Sequence, residues 1–326
     1  FSLSRGLGDV YKRQGLTGQL VFADISAYLL ANSLGSSPVL LLSAILVISG
    51  IGFKISVVPF HSWAPDTYEG APLPITAYLS VSSKATGFVA LIVLLTKVFE
   101  SSGQSWGVIL AIVAGATMTL GNLVALQQTN PVRLLAYSSI SQAGFIIAPL
   151  AVSGITGNYQ DGIFASVTYL IIYAFMNIGA FLSVHLFTNF TKSDNFYEWG
   201  GIAKHSPLTG VLTTVFFFSL AGIPPLGGWF AKFVVFRSLL STGEIIGVSL
   251  AIVGAINAVI ALVYYARISK VIWMDELKNP EEEKSFEFQS PLKVVGALTV
   301  LITFVAGIFP GIFSYLGEVS SIFFGN

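Results

Sequence analysis

The stretch GIGFKISVVPFHSWAPDTYEGAPLPITAYLSVSSK, residues 50 to 84, decides how the chain is read. It opens inside an apolar run that carries a lysine, Lys54, and Pro59 then breaks the run. A polar hairpin, His61–Gly70, follows, and a second apolar run carries a second lysine, Lys84. A charge inside a membrane span costs at least about 2.5–3.5 kcal/mol. Two lysines on neighbouring apolar helices, one beside a proline break, therefore need a functional reason. The chemistry that suits them is half of a proton path.

The composition fits that setting. Hydrophobic residues make up 54% of the chain, charged residues only 10%, and the mean hydropathy is +0.79. A soluble domain carries roughly 25% charged residues, so this chain could not solvate a surface of ordinary size. It reads as an all-α, polytopic transmembrane helical bundle whose solvent is the lipid bilayer. The net charge of zero gives no case for nucleic acid as a partner. With no cysteine in the chain, thiolate ligation of iron–sulfur clusters and disulfides are excluded.

Residues 1–14 are polar and basic without a hydrophobic period, lack the apolar core of a signal peptide, and read as a non-native scar. Residues 15–36, with Asp24, read as an interfacial segment, and 37–326 as the transmembrane domain. Eight apolar segments are expected near 37–60, 74–97, 106–127, 133–150, 162–188, 207–237, 245–273 and 291–316. The loops after the first, third, fifth and seventh hold Arg133, Lys192, Lys204, Arg267, Lys270, Lys278, Lys284 and Lys293, eight basic residues; the other loops hold only Lys97 and Arg237. The positive-inside rule puts the first set, and with it the His61–Gly70 hairpin, on the cytoplasmic side. The acidic run Glu281–Glu283 reads as a solvated loop.

Ionisable residues well inside the segments are Lys54, Lys84 and Lys232, with His185 nearer an end. Snorkelling explains a lysine at a helix end, such as Lys97, better than these three. Lysine gives up its proton readily when buried, whereas arginine stays charged, so the pattern suits proton relay. The second break, Ala221–Gly228, contains Pro224, Pro225, Gly227 and Gly228 and cannot run as unbroken helix. Pro59-Phe-His-Ser-Trp63 and Pro225-Leu-Gly-Gly-Trp229 echo each other, which points to repeated halves with interrupted helices. His61, His185, Asn122, Tyr137 and Ser141, with Ser138, Ser139 and Asn177, could extend a relay or order water, and each is equally an ordinary helix contact. Gly50-Ile-Gly52 lacks a third glycine, and Asn189-Phe-Thr191 is a sequon on the cytoplasmic side; neither carries function.

Three motifs in order carry a resemblance. FKISVVPFHSWAPDTYEGAP with SVSSK, QQTNPVRLLAYSSISQ from Gln127, and AGIPPLGGWFAKFVVF from Ala221 resemble the antiporter-like proton-translocating membrane subunits of NADH:quinone oxidoreductase (respiratory complex I), of the subunit N or subunit 2 type. The PDTYEGAP hairpin favours that type over the multisubunit sodium/proton antiporters, which stand as the alternative; a purely structural scaffold would leave the lysines without purpose. The resemblance implies an antiporter-like inverted-repeat fold with two broken helices. It implies that Lys54 and Lys84 carry protons in the input half and Lys232 on the output side. It also implies that NADH, FMN, iron–sulfur clusters and quinone reside in partner subunits, with no cofactor or metal in this chain. A multi-pass position in a bacterial inner membrane is expected, with thylakoid or mitochondrial inner membrane as other settings. The family pairs the first lysine with a glutamate on an earlier helix, and this chain offers none. With eight segments where the family has about fourteen, the chain is expected to be a C-terminal fragment, its first repeat partial and its second complete, partnered by the missing N-terminal half and by other membrane subunits of complex I.

Overall fold

The computed structural model describes residues 18–19, 21–32, 34–276 and 290–325. The expected scar at 1–14 and the run Glu281–Glu283 lie outside the described residues. The helices are α1 (Phe22–Ala31), α2 (Pro38–Ile55), α3 (Trp63–Gly70), α4 (Leu73–Tyr78), α5 (Lys84–Lys97), α6 (Gly103–Ala125), α7 (Pro131–Thr156), α8 (Tyr159–Thr191), α9 (Pro207–Ala221), α10 (Gly227–Ser241), α11 (Ile245–Met274), α12 (Ser290–Ile308) and α13 (Gly311–Gly325). Among the described residues six helices are long and apolar enough to cross a membrane. The broken pair α9–α10 and the bent pair α12–α13 account for the remaining two of the eight expected segments.

Helix α7 is the axis of the bundle. Its start is specified locally: Pro131 occupies the first turn, and the Asn130 side chain accepts from the amides of Val132 and Arg133 at 2.8 and 3.2 Å. Gly157 ends it in a left-handed conformation, φ 77°. Of its most apolar stretch 94% is buried inside the protein, against 33% for α2 and for α11. Being walled by protein rather than lipid, α7 can carry Ser138, Ser139, Ser141 and Gln142, all buried. Its most extensive packing is with α6. A methyl group at Gly144 would sit 2.7 Å from Met118 Cγ and 2.8 Å from its amide nitrogen, so glycine sets how closely the two helices approach.

Both expected breaks are present. Helix α2 stops at Ile55, Ser56 takes φ 60°, and the chain resumes as α3 at Trp63. Helix α9 stops at Ala221 and α10 begins at Gly227. The Val58–Pro59 and Pro224–Pro225 peptides are cis. At Gly228 an added Cβ would lie 1.7 Å from the Ser219 carbonyl oxygen, so the second break closes on itself only with glycine there.

Three expectations need correction. The His61–Gly70 hairpin is largely helical, as α3, because Pro65 fits a first turn and Asp66 faces its positive end. The second segment is not uniform: Leu79–Ser83 form a π-helical turn between α4 and α5. The last segment ends at Ile308 and turns by 84° into α13, because Pro310 lacks an amide hydrogen and disfavours helix at the residue before it. Residues 21–32 of the expected interfacial segment form the short apolar helix α1 and its cap.

Loops following the odd-numbered segments gather at one end. Arg133 bridges Asp66 and Glu69, the Phe196 amide donates to the Thr129 carbonyl (3.2 Å), and Arg267 donates to the Leu126 carbonyl (2.8 Å). At the opposite end Tyr159 donates to the Glu100 carbonyl and Arg237 pairs with Asp161 at 3.2 Å.

Gly144→Val is expected to lower stability by about 1–3 kcal/mol through overpacking of α6 against α7. Gly50→Ala, whose added Cβ meets nothing within 4 Å, should stay within about 0.5 kcal/mol of the parent. Thermal unfolding of the purified protein in lipid nanodiscs reads the difference, and equal midpoints would refute the close-packing account.

Candidate functional site

Two of the three sequence-predicted lysines are buried, and each is held by backbone oxygen. Lys84, 1% exposed, starts α5 directly after the π-helical turn. Widened turns of this kind are frequent at functional sites. Its Nζ donates to the Ser139 hydroxyl at 2.9 Å and the Ser139 carbonyl at 3.1 Å, both on α7. The ring of Tyr68, on α3, lies with its centroid 6.0 Å from the same nitrogen. Lys232, 5% exposed, lies in α10 and donates to the carbonyls of Leu220 (3.1 Å) and Ala221 (2.5 Å). These are the last carbonyls of α9, which the break frees from intrahelical bonding. Gly222, with φ 96°, makes room for this: a Cβ there would strike Lys232 Cδ at 2.8 Å. The Phe145 ring centroid lies 5.2 Å from Lys232 Nζ.

Helix α7 connects the two lysines. Ser139 holds Lys84, and Gln142, one turn along (about 4.5 Å of rise), donates to the Leu220 carbonyl at 3.2 Å. Lys232 and Gln142 thus share one acceptor. The Gln142 side-chain oxygen, Oε1, accepts from the Tyr169 hydroxyl of α8. One turn further along α8, the Tyr173 hydroxyl is buried with no protein partner among the described residues. Asn177 donates to Ser80 at 2.8 Å, in the π-helical turn, and its own carbonyl oxygen is buried without a partner. A buried donor or acceptor left unmade costs about 1–3 kcal/mol, so this row of hydroxyl and amide groups suits internal water.

Lys54 does not join them. Its side chain is exposed, with the aliphatic stem passing over Gly87 of α5. Lys54 thus lies along the α5 side of α2 but at its last turn, where no hydrogen-bond partner covers the ammonium among the described residues. Among the described residues, then, Lys84 and Lys232 are enclosed and Lys54 is exposed.

The weaker candidates separate. Asn122 donates to the carbonyl and side-chain oxygens of Asn257 (3.1 Å each) and accepts from Tyr264 (2.9 Å), which knits α6 to α11. Ser138 pairs with Tyr265. Tyr137 is half-buried, and Ser141 packs by its backbone on Gly121. His185 sits beside Asn189 Nδ2 (3.0 Å) on the edge of an apolar recess with Phe181 and Leu182, bonded to neither lysine. His61 is half-buried in the first break; burial pulls it below its ordinary range, against a backbone hydrogen bond at Pro59, and its Nδ1 has no partner among the described residues. Gln142, Tyr68 and Tyr173 were not singled out from the sequence; the one signal they offered was polarity inside apolar or hairpin stretches.

The profile of the NADH:quinone oxidoreductase/Mrp antiporter transmembrane family matches residues 10–260. The chain is 36% identical over 306 residues to NADH-quinone oxidoreductase subunit N of Desulforamulus reducens, covering 94% of this chain and 61% of that protein. It is 41% identical over 299 residues to NAD(P)H-quinone oxidoreductase subunit 2 of Crocosphaera subtropica, covering 89% and 56%. The chain therefore spans 61% or less of the length of these relatives. Its fold is similar to a chain of respiratory complex I from Thermus thermophilus with bound aureothin (TM-score 0.73, 25% identity, 95% of this chain and 64% of that one). It is also similar to a chain of the Mrp complex from Dietzia sp. (TM-score 0.82, 21% identity, 97% and 64%).

Gln142→Leu should destabilise the protein by about 1–3 kcal/mol, because it orphans the Tyr169 hydroxyl in the core. Adding Tyr169→Phe should recover part of the loss, so the double variant is more stable than the sum of the singles. Additive losses in thermal unfolding would show that the bridge contributes nothing.

Proposed function

The chain belongs to the NADH:quinone oxidoreductase/Mrp antiporter transmembrane family, and we propose that it works as a multi-pass membrane subunit of a proton-translocating NADH:quinone oxidoreductase. On this reading it moves protons through its buried lysines while electron transfer takes place in partner subunits. One observation carries the reading: Lys84 and Lys232 are both buried, both bonded to oxygens of interrupted or neighbouring helices, and both tied to one helix, α7.

The chemistry follows from those bonds. A lysine ammonium has three donors and no acceptor. Two of the donors on each lysine are engaged by protein oxygen, which leaves one for an incoming or departing water or hydroxyl. A proton lost from Lys84 weakens its hold on Ser139, and one gained strengthens it, so protonation is coupled to where the side chain rests. The groups between the lysines, Tyr173, Asn177, Gln142 and Tyr169, order the path without holding charge. Lys54 keeps its place only as a lysine at the entrance, by resemblance; its carboxylate partner is proposed to come from a segment outside the described residues. Other membrane subunits are proposed to cover the apolar faces left exposed, such as that of α2 with Val39, Leu42 and Leu46. No cofactor is proposed in this chain. NADH, FMN, iron–sulfur clusters and quinone belong to partners on this reading.

The alternative, a subunit of a multisubunit sodium/proton antiporter, shares the family description. The quinone oxidoreductase reading is favoured because the relatives at 36% and 41% identity carry that name.

Lys232→Ala and Lys84→Gln, each made in the complete protein within its complex, should slow proton movement through this subunit at least about 10-fold, equivalent to about 1.4 kcal/mol in the rate-limiting step. Assembly and electron transfer to an artificial acceptor should persist. Loss of assembly with normal pumping in the residual complex would make the lysines structural and end the relay reading.

A further inference from the structure

The ion-pair cluster at the loop end of α7 has no part in the relay just described, yet it is built onto it. We propose that Arg133, gripping Asp66 and Glu69, is a positioning residue that seats helix α3 so that Tyr68 closes Lys84 off from the aqueous end of the bundle. This deepens the proton-path reading and rests on it for its purpose, though not for its test.

Helix α3 is pinned to α2 at its start, where Trp63 Nε1 donates to the Phe53 carbonyl at 2.7 Å, and has two further tethers. One is ionic: Arg133 Nη1 lies 2.8 Å from Asp66 Oδ1 and 2.6 Å from Glu69 Oε2, and Asn130 Nδ2 donates to Glu69 Oε1 at 3.0 Å. The carboxylates are three residues apart, so they share one face of α3. The other tether is a hydrogen bond from the Thr76 hydroxyl to the Tyr68 carbonyl at 2.9 Å, which joins α3 to the segment leading to Lys84. Between the tethers Tyr68 points inward. It is 0% exposed, its ring edge packs on Trp63 and Phe181, and its centroid is 6.0 Å from Lys84 Nζ. Its hydroxyl lies buried with no hydrogen-bond partner among the described residues.

The same helix therefore references both parts. Arg133 and Ser139 are six residues apart on α7, about 9 Å of rise; the first holds the cover and the second holds the lysine beneath it. The ionic tether is the one that can yield. The side chains of Arg133, Asp66 and Glu69 are 29%, 76% and 41% exposed, so water and salt compete for them. The contacts of Tyr68 are buried and do not respond to salt. A bond set that is weak outside and firm inside is what a cover needs if it is to open without unfolding.

No cysteine lies in these 326 residues; with any thiol elsewhere in the complete protein replaced by serine, Ser139→Cys places a single thiol beside Lys84. In the membrane-embedded complete protein, a small charged water-soluble thiol reagent is applied and labelling of this chain is followed by mass. With Arg133 present, labelling should be slow. Arg133→Gln should speed it at least about 10-fold, and Arg133→Lys should restore much of the protection. Salt at about 1 M, where the screening length is about 3 Å, should speed labelling with Arg133 present and add little in Arg133→Gln. A second thiol, Ser238→Cys, buried on α10 beside Arg237 at the opposite end of the bundle, reports general loosening. Equal rates with Arg133 and Arg133→Gln would overturn the proposal, and so would an equal rise at both thiols. Labelling needs no proton transport, so this result stands or falls apart from that of the lysine variants.

Discussion

An ammonium group cannot be left bare in a bilayer, and the structure is arranged around meeting that requirement twice. A regular helix has spent its carbonyls on its own amides and has only a second lone pair to share, as the Ser139 carbonyl shares with Lys84. An unshared oxygen becomes available where a helix is interrupted or where a hydroxyl is packed alongside. Lys232 uses the first route, at the end of α9, and Lys84 the second, at Ser139. The break at Ala221–Gly227 is therefore a supply of acceptors in a place that otherwise has none. Its glycines and prolines are needed for that purpose as much as for any motion.

Helix α7 makes this possible by giving up contact with lipid. Being walled in by α6, α8 and their neighbours, it can carry serine and glutamine at depth without exposing them to hydrocarbon. The close approach of α6 at Gly144 is the packing side of the same arrangement. The helices that face outward, α2 and α11, show the reverse: apolar side chains on the open face, with Asn257 of α11 turned inward.

Much of this was legible in the residues. Lys84 and Lys232 stood out because each is a charge in a run that otherwise reads as hydrocarbon, and Pro59 and Pro224–Pro225 stood out because proline removes an amide donor. Those signals are local. What could not be read is which side of a helix meets protein. Lys54 looked equivalent to Lys84; what separates them is that Lys84 is enclosed against α7, whereas Lys54 only lays its stem along α5. Gln142 looked like one polar residue among several; its importance comes from Leu220, 78 residues away. The π-helical turn before Lys84 contains no proline or glycine to announce it. The bend at Pro310 was within reach, since the residue that causes it is the usual one.

The shared acceptor at Leu220 has a consequence for reversibility. If Lys232 alone bonded that carbonyl, each swing of the lysine would strand an oxygen, and the end of α9 would have to fray or rewind to recover it. Gln142 stays behind as a fixed anchor on the same oxygen. On the proposed reading the lysine can then leave with only the Ala221 oxygen to be met by water, while the Leu220 side of the frame keeps its partner.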